Sequence, residues 1–128
     1  MSGSNLLIDT NIALYLFQGD RTVATFLDKK QVYVSFVTEL ELLGFSYSKS
    51  KDRENIRAFL DQCVVIDINN SIKEKTVELR TAYKIKLPDA IVMATALHLG
   101  IPLATADQGF KQVIELNLVW YDRAKSAW

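Results

Sequence analysis

The chain holds one cysteine, Cys63, and one histidine, His98. A single thiol excludes an internal disulfide and any cysteine-rich zinc site. Its place before an apolar run, with no basic neighbour to activate it, predicts a core position. A single histidine excludes ribonuclease chemistry through a histidine acid–base pair, and His98, set between Leu97 and Leu99, reads as a structural residue. An excess of either charge is also missing. Fifteen lysines and arginines balance fifteen aspartates and glutamates, so no strong overall field draws in nucleic acid, and such binding must rest on local patches or a bound cation. No apolar stretch approaches the ~18 residues of a membrane span. Met1-Ser2-Gly3-Ser4-Asn5 lacks the basic start and apolar stretch of a signal peptide. With the lone cysteine, this predicts a cytoplasmic protein without membrane partners.

What is present is an ordinary globular composition, 49% hydrophobic and 23% charged, which can build a core. The length predicts a single domain over residues 1–128, and there is no internal repeat, low-complexity tract or linker. Apolar runs at Asn5–Asp9, Gln31–Ser35, Val64–Ile68, Pro102–Thr105 and Asn117–Tyr121 read as five short strands. Between them lie segments of helical spacing: Ile12–Phe17, Arg21–Lys30, Thr38–Tyr47 with Leu40, Leu42 and Leu43 inward, and Glu54–Gln62. Another runs from a cap at Ser71, with Glu74 at the capping-box position, to about Lys84. The last is Asp89–Leu99, with Pro88 in its first turn and Gly100 ending it. Ser48–Arg53, polar and basic, reads as a loop. Strands alternating with helices predict an α/β fold, a three-layer α/β/α sandwich around a central, mostly parallel five-stranded sheet. Polar sites in such sheets gather at the carboxyl ends of the strands, where Asp9, Asp67 and Asp107 fall.

Four acids stand out by position. Asp9 ends the first strand, Glu41 lies one turn into the helix after the second, Asp89 opens a helix and Asp107 follows the fourth strand. Singly, Asp9 and Asp107 read as helix caps, Asp89 as a macrodipole partner and Glu41 as a solvated helix residue. Together they read differently. Two carboxylates ~5 Å apart repel by about 3 kcal/mol at an effective dielectric of 20, and such a cluster is kept for a hard cation. Carboxylates are the donors that magnesium or manganese takes.

The stretches Leu7-Ile8-Asp9-Thr10-Asn11, Thr38-Glu39-Leu40-Glu41-Leu42-Leu43-Gly44, Leu87-Pro88-Asp89-Ala90-Ile91-Val92-Met93-Ala94-Thr95-Ala96 and Leu103-Ala104-Thr105-Ala106-Asp107 resemble, in order and spacing, the PIN-domain family. They resemble above all its short VapC-type toxins from bacterial toxin–antitoxin pairs. The resemblance covers nearly the whole chain. It implies a magnesium- or manganese-dependent ribonuclease with Asp9, Glu41, Asp89 and Asp107 as its acidic residues. Asp9, Asp89 and Asp107 would hold metal, and Asn11 and Thr105 would sit where the family's polar residues hold those carboxylates. It further implies an RNA substrate, a cognate antitoxin and a homodimer. The interval from Glu41 to Gly44 is shorter than the family's pattern, which bears on the local helix turn but leaves the acid in place.

Basic residues are densest at Lys49, Lys51, Arg53 and Arg57, a segment that suits either RNA phosphates or solvent. Lys84 and Lys86, just before Asp89, are better placed to position substrate. Phe36, Phe45 and Tyr47 suit core or dimer packing better than base stacking. Two other readings are a housekeeping PIN nuclease of RNA processing and a receiver-like phospho-acceptor module using Asp67. The receiver reading lacks an acidic partner beside Asp9 and a lysine in Val119-Trp120-Tyr121. A catalytically silent PIN-like binding module is a further alternative, against which all four acids stand.

Overall fold

The computed structural model describes residues 4–45 and 50–128, without the side chains of Ser50 and Lys51. Five strands form one sheet, and every pairing in it is parallel: β1 (Asn5–Ile8), β2 (Gln31–Ser35), β3 (Val64–Ile66), β4 (Leu103–Thr105) and β5 (Leu118–Trp120). The order across the sheet is β3-β2-β1-β4-β5. The helices are α1 (Thr10–Phe17), α2 (Arg21–Leu27), α3 (Phe36–Leu43), α4 (Ser50–Gln62), α5 (Asn70–Ala82) and α6 (Leu87–Leu99). The expected α/β sandwich with a five-stranded sheet is what forms.

Alternation along β1 divides the core in two. Leu6 and Ile8 face a cluster that includes Ile12 of α1, Val23 and Leu27 of α2, and Ile56 and Leu60 of α4. Leu7 faces the other way, with Leu103 of β4, onto Ile72 and Leu79 of α5 and the Ile91–Ala94 stretch of α6. Leu7, Ile8 and Leu103 are fully buried, and each such side chain contributes about 1.5–3 kcal/mol. Because both faces of β1 are covered, the strand reads as an unbroken apolar run, as parallel strands do.

Polar caps start most helices. Side-chain oxygens of Asp9, Asp20, Ser35 and Asn69 accept the backbone N–H of Ile12, Val23, Val37 and Ile72, and so open α1, α2, α3 and α5. The cap of α5 is thus Asn69 rather than Ser71. The asparagine stands nearer the strand and its oxygen lies 2.8 Å from the Ile72 nitrogen. Helix α4 begins at Ser50, not Glu54, because charged Lys51, Asp52 and Arg53 are competent helix residues once a neighbouring face is buried. Of the three leucines expected inward on α3, Leu42 is buried beside Thr38 and Leu43 packs half-buried against the first cluster, whereas Leu40 is 60% exposed. Tyr47 lies outside the described residues. β3 is an edge strand with Val64 exposed, less buried than its apolar sequence predicts.

The chain lays down β1, β2 and β3 outward in one direction, then returns to place β4 on the other side of β1. The switch point lies between β1 and β4. A crevice opens outside the carboxyl ends of the strands at such a point, and Asp9 and Thr105 are the residues on its two sides.

Candidate active site

A cleft of about 370 Å³ opens at the switch point, and Asp9, Glu41, Asp89 and Asp107 all line it. Asn11, Lys86, Phe45 and Phe110 complete its walls. Four acids from four separate stretches of sequence thus meet at one place.

Asp9 is the deepest, 5% exposed. Its Oδ1 accepts the N–H of Ile12 (2.9 Å) and its Oδ2 accepts the Thr105 hydroxyl (2.5 Å). The same Thr105 oxygen accepts the backbone N–H of Asp107 (3.0 Å), so one fully buried hydroxyl spaces two of the acids across the β1–β4 seam. Asp107 in turn starts the short 3₁₀ segment Gln108–Gln112, its Oδ1 accepting the N–H of Gly109 (2.8 Å). Asp89 sits in the first turn of α6, whose partial positive charge favours a carboxylate. Glu41 accepts the Thr10 hydroxyl at Oε1 (2.6 Å), and that hydroxyl lies 3.1 Å from the buried Thr38 hydroxyl. Helix α3 ends directly afterwards, the Gly44 N–H donating to the Leu40 carbonyl (2.8 Å). The short interval after Glu41 therefore closes the helix without withdrawing the acid.

Capping and clustering turn out not to be rival explanations, since Asp9 and Asp107 do both. Burial pushes the Asp9 carboxyl up to about 6, against the Thr105 and Ile12 hydrogen bonds, with Asp107 and Asp89 adding repulsion. Asp89 is raised by burial, then by Asp107 and Glu41, against the pull of Lys86. The cleft is therefore short of positive charge. Its donors are hard carboxylate oxygens, so a divalent cation fits it in charge and donor type. Among the described residues no three of the acids, histidine or cysteine form a ready-made cage.

Thr10, Thr38 and Gly109 belong to this site although nothing in their local sequence marks them. Thr38 precedes Glu41 by three residues, which places both on one helix face, and that spacing is the only signal that could have found it. Phe45 is 42% exposed and lines the cleft rather than the core, while Phe36 packs against the α5–α6 cluster. Asp67 lies elsewhere, exposed on the edge of the sheet, its Oδ1 accepting the N–H of Ile68. His98 is exposed at the far end of α6 from Asp89, its Nε2 3.4 Å from the Asn69 amide nitrogen. Cys63 is half-buried, its thiol pushed up to about 11 by burial. Lys49 lies outside the described residues, and Arg53 and Arg57 are exposed on α4.

The profile of the PIN domain matches residues 6–116. The chain belongs to the PIN domain family. PIN domains are nucleases that generally use divalent metal ions. Among solved structures, a toxin–antitoxin complex from Klebsiella pneumoniae is similar at 33% identity and a TM-score of 0.79, over 89% of this chain and 95% of that one. VapBC2 from Rickettsia felis, bound to a DNA fragment from its promoter, shares the fold at 21% identity and a TM-score of 0.83, over 92% and 99% of the two chains. VapBC-1 from nontypeable Haemophilus influenzae does so at 21% identity and a TM-score of 0.80, over 91% and 97%. No curated protein matches the sequence. Among the described residues, no helix of this PIN chain is long and apolar enough to cross a membrane.

Proposed function

We propose that this PIN domain is a magnesium- or manganese-dependent endoribonuclease, the toxin of a type II toxin–antitoxin pair, acting in the cytoplasm as a homodimer of single-domain chains. The observation that carries the reading is the convergence of Asp9, Glu41, Asp89 and Asp107 on one cleft at the β1–β4 switch point. The likeness to a toxin–antitoxin complex at 33% identity supports the toxin assignment.

Asp9, Asp89 and Asp107 would hold the metal, with Glu41 lining the same cleft. When bound, the cation lowers the pKa of an attacking water and offsets charge on the phosphate and leaving oxygen. The chain's own residues supply the rest. Thr105 keeps Asp9 and Asp107 at a fixed spacing, and Thr10 orients Glu41 through the hydrogen bond to its Oε1. Among the described residues Lys86 is the one cation lining the cleft. Hydrolysis on these lines leaves 5′-phosphate and 3′-hydroxyl ends.

The test is cleavage of mixed cellular RNA by the parent, Asp9→Asn and Asp89→Asn, with magnesium, manganese or chelator. Both variants are expected to fold and to lose at least about a hundredfold in rate. Undiminished cleavage by both, or full activity in chelator, would overturn the metal–carboxylate reading. The acidic cleft also suits an antitoxin that inserts a guanidinium, which pairs with carboxylates in a fork. Removing the terminal arginine or lysine of a co-purified antitoxin should weaken inhibition. Equal binding of that partner to an Asp9→Asn/Asp107→Asn double variant would count against it.

A further inference from the structure

The acid cleft continues sideways into a second depression of about 280 Å³, and the two share Lys86, Asp89, Asp107 and Phe110. Lys84 joins the wall there, so the charges change along the groove. Four acids and one lysine line the cleft, whereas two acids and two lysines line its extension. On the other flank the cleft meets a depression of about 290 Å³, which shares Leu14 and Phe45 with it. Among the described residues that depression offers apolar side chains, amides and Asp52 but no cation. Among the described residues, the two lysines therefore stand on the Lys84 side of the cleft.

Lys84 and Lys86 are exposed, and neither has an ion-pair partner within 4.0 Å among the described residues. Lys86 also occupies the N-cap of α6, with no side-chain cap bond, where α1, α2, α3 and α5 carry Asp, Asp, Ser and Asn. A cation there opposes the helix dipole, so its place is a cost to α6 rather than a gain. Buried Phe110 and Met93 line the extension together with the two lysines.

We propose that this extension is a backbone subsite for RNA, in which Lys84 and Lys86 hold phosphates next to the scissile one. They thereby set the direction in which the strand leaves the acid cleft. The proposal rests on the ribonuclease reading and deepens it. The overall charge of zero makes the pair matter more, because local cations must supply the phosphate contacts that a basic protein distributes over its surface.

The test compares the parent, Lys84→Gln, Lys86→Gln, the double variant and Lys73→Gln, a control at the opposite end of α5. Each cleaves labelled single-stranded oligoribonucleotides in magnesium or manganese over a range of salt. The double variant is expected to raise KM about tenfold, similarly for oligonucleotides of different sequence, with kcat within about twofold of the parent. The slope of log KM against log salt should fall by about 1.4, two contacts at ~0.7 each for a single strand. Lys73→Gln should match the parent. Parent-like KM and slope in the double variant overturn the subsite, as does a loss of kcat at unchanged KM or an equal effect in Lys73→Gln. Absence of cleavage by the parent overturns the ribonuclease reading itself, and the subsite with it.

Discussion

Two aspartates among the first twenty residues cap the first two helices, and each also accepts a hydroxyl from about a hundred residues away. Asp9 takes Ile12 N–H and the Thr105 hydroxyl; Asp20 takes Val23 N–H (3.2 Å) and the Tyr121 hydroxyl (2.6 Å). Their surroundings then part. Asp9 faces Asp107 and Asp89, and its carboxyl is pushed up to about 6, mainly by burial. Burial also raises Asp20, but Tyr121, the N–H groups of Val23 and Thr22, and Arg123 together outweigh it, so its carboxyl lies below the usual range. Arg123 Nε stands 3.7 Å from Asp20 while its guanidinium lies over the Tyr15 ring. Among the described residues, one carboxylate has a counter-cation and the other does not. Identical local chemistry therefore says nothing about role, and the difference comes from which charges the fold brings near.

Deleting the two hydroxyls should separate the roles most sharply. Thr105→Val unties Asp9 from Asp107, and cleavage should fall about ten- to a hundredfold, measured as kcat/KM on RNA, with the protein still folded. Parent-level cleavage would show that the seam does not depend on this bond.

The pH dependence of stability should run in opposite senses at the two aspartates. A raised folded-state pKa gives Asp9 a contribution that is full below its unfolded value near 3.8 and lost as pH rises through about 6. A lowered one gives Asp20 a contribution present above that unfolded value and lost as pH falls through its folded value. Melts in chelator between pH 3 and 7 should therefore lose the decline toward neutrality in Asp9→Asn, which amounts to about 3 kcal/mol at most. Asp20→Asn should instead lose part of the acid-side decline. Divalent cation at tenfold its dissociation constant should restore about 1.4 kcal/mol to the parent and less to Asp107→Asn. Equal metal shifts in parent and Asp107→Asn would remove Asp107 from the cation site.

Tyr121→Phe is the counterpart of Thr105→Val. It should cost about 1.5–3 kcal/mol of stability, the range for a hydrogen bond to a charged group, with cleavage unchanged. A thermal melt and a cleavage assay on one preparation check both halves.

The smallest effect is expected at Gly109. A Cβ there would come 3.2 Å from Asp107 Oδ1, so Gly109→Ala should shift that carboxylate by a few tenths of an ångström. The expected outcome is a several-fold fall in kcat/KM with no measurable change in Tm.

Much of this architecture is legible in the sequence because β1 and β4 are covered on both faces and therefore read as bare apolar runs. Asp9, Glu41, Asp89 and Asp107 stand out because each interrupts apolar sequence at a junction. Residues whose role comes from a partner far along the chain are not legible. Thr10 and Thr38 look like ordinary helix residues until Glu41 is placed beside them, and Tyr121 looks like the end of a strand until Asp20 meets it. The start of α4 and the exposure of Leu40 escaped for a different reason. Both depend on which side of a helix another element covers, and periodicity alone does not say.

The β1–β4 seam also imposes an order in time. Asp9 is synthesised 96 residues before the hydroxyl that holds it. At about 5–20 residues per second on the ribosome, that interval is on the order of 5–20 s. A nascent, stalled or clipped chain that stops short of Thr105 carries the first acid but neither its tether nor Asp107. The acid cleft is therefore complete only once Thr105 and Asp107 have been added, and a fragment ending before them is expected to show no cleavage of RNA.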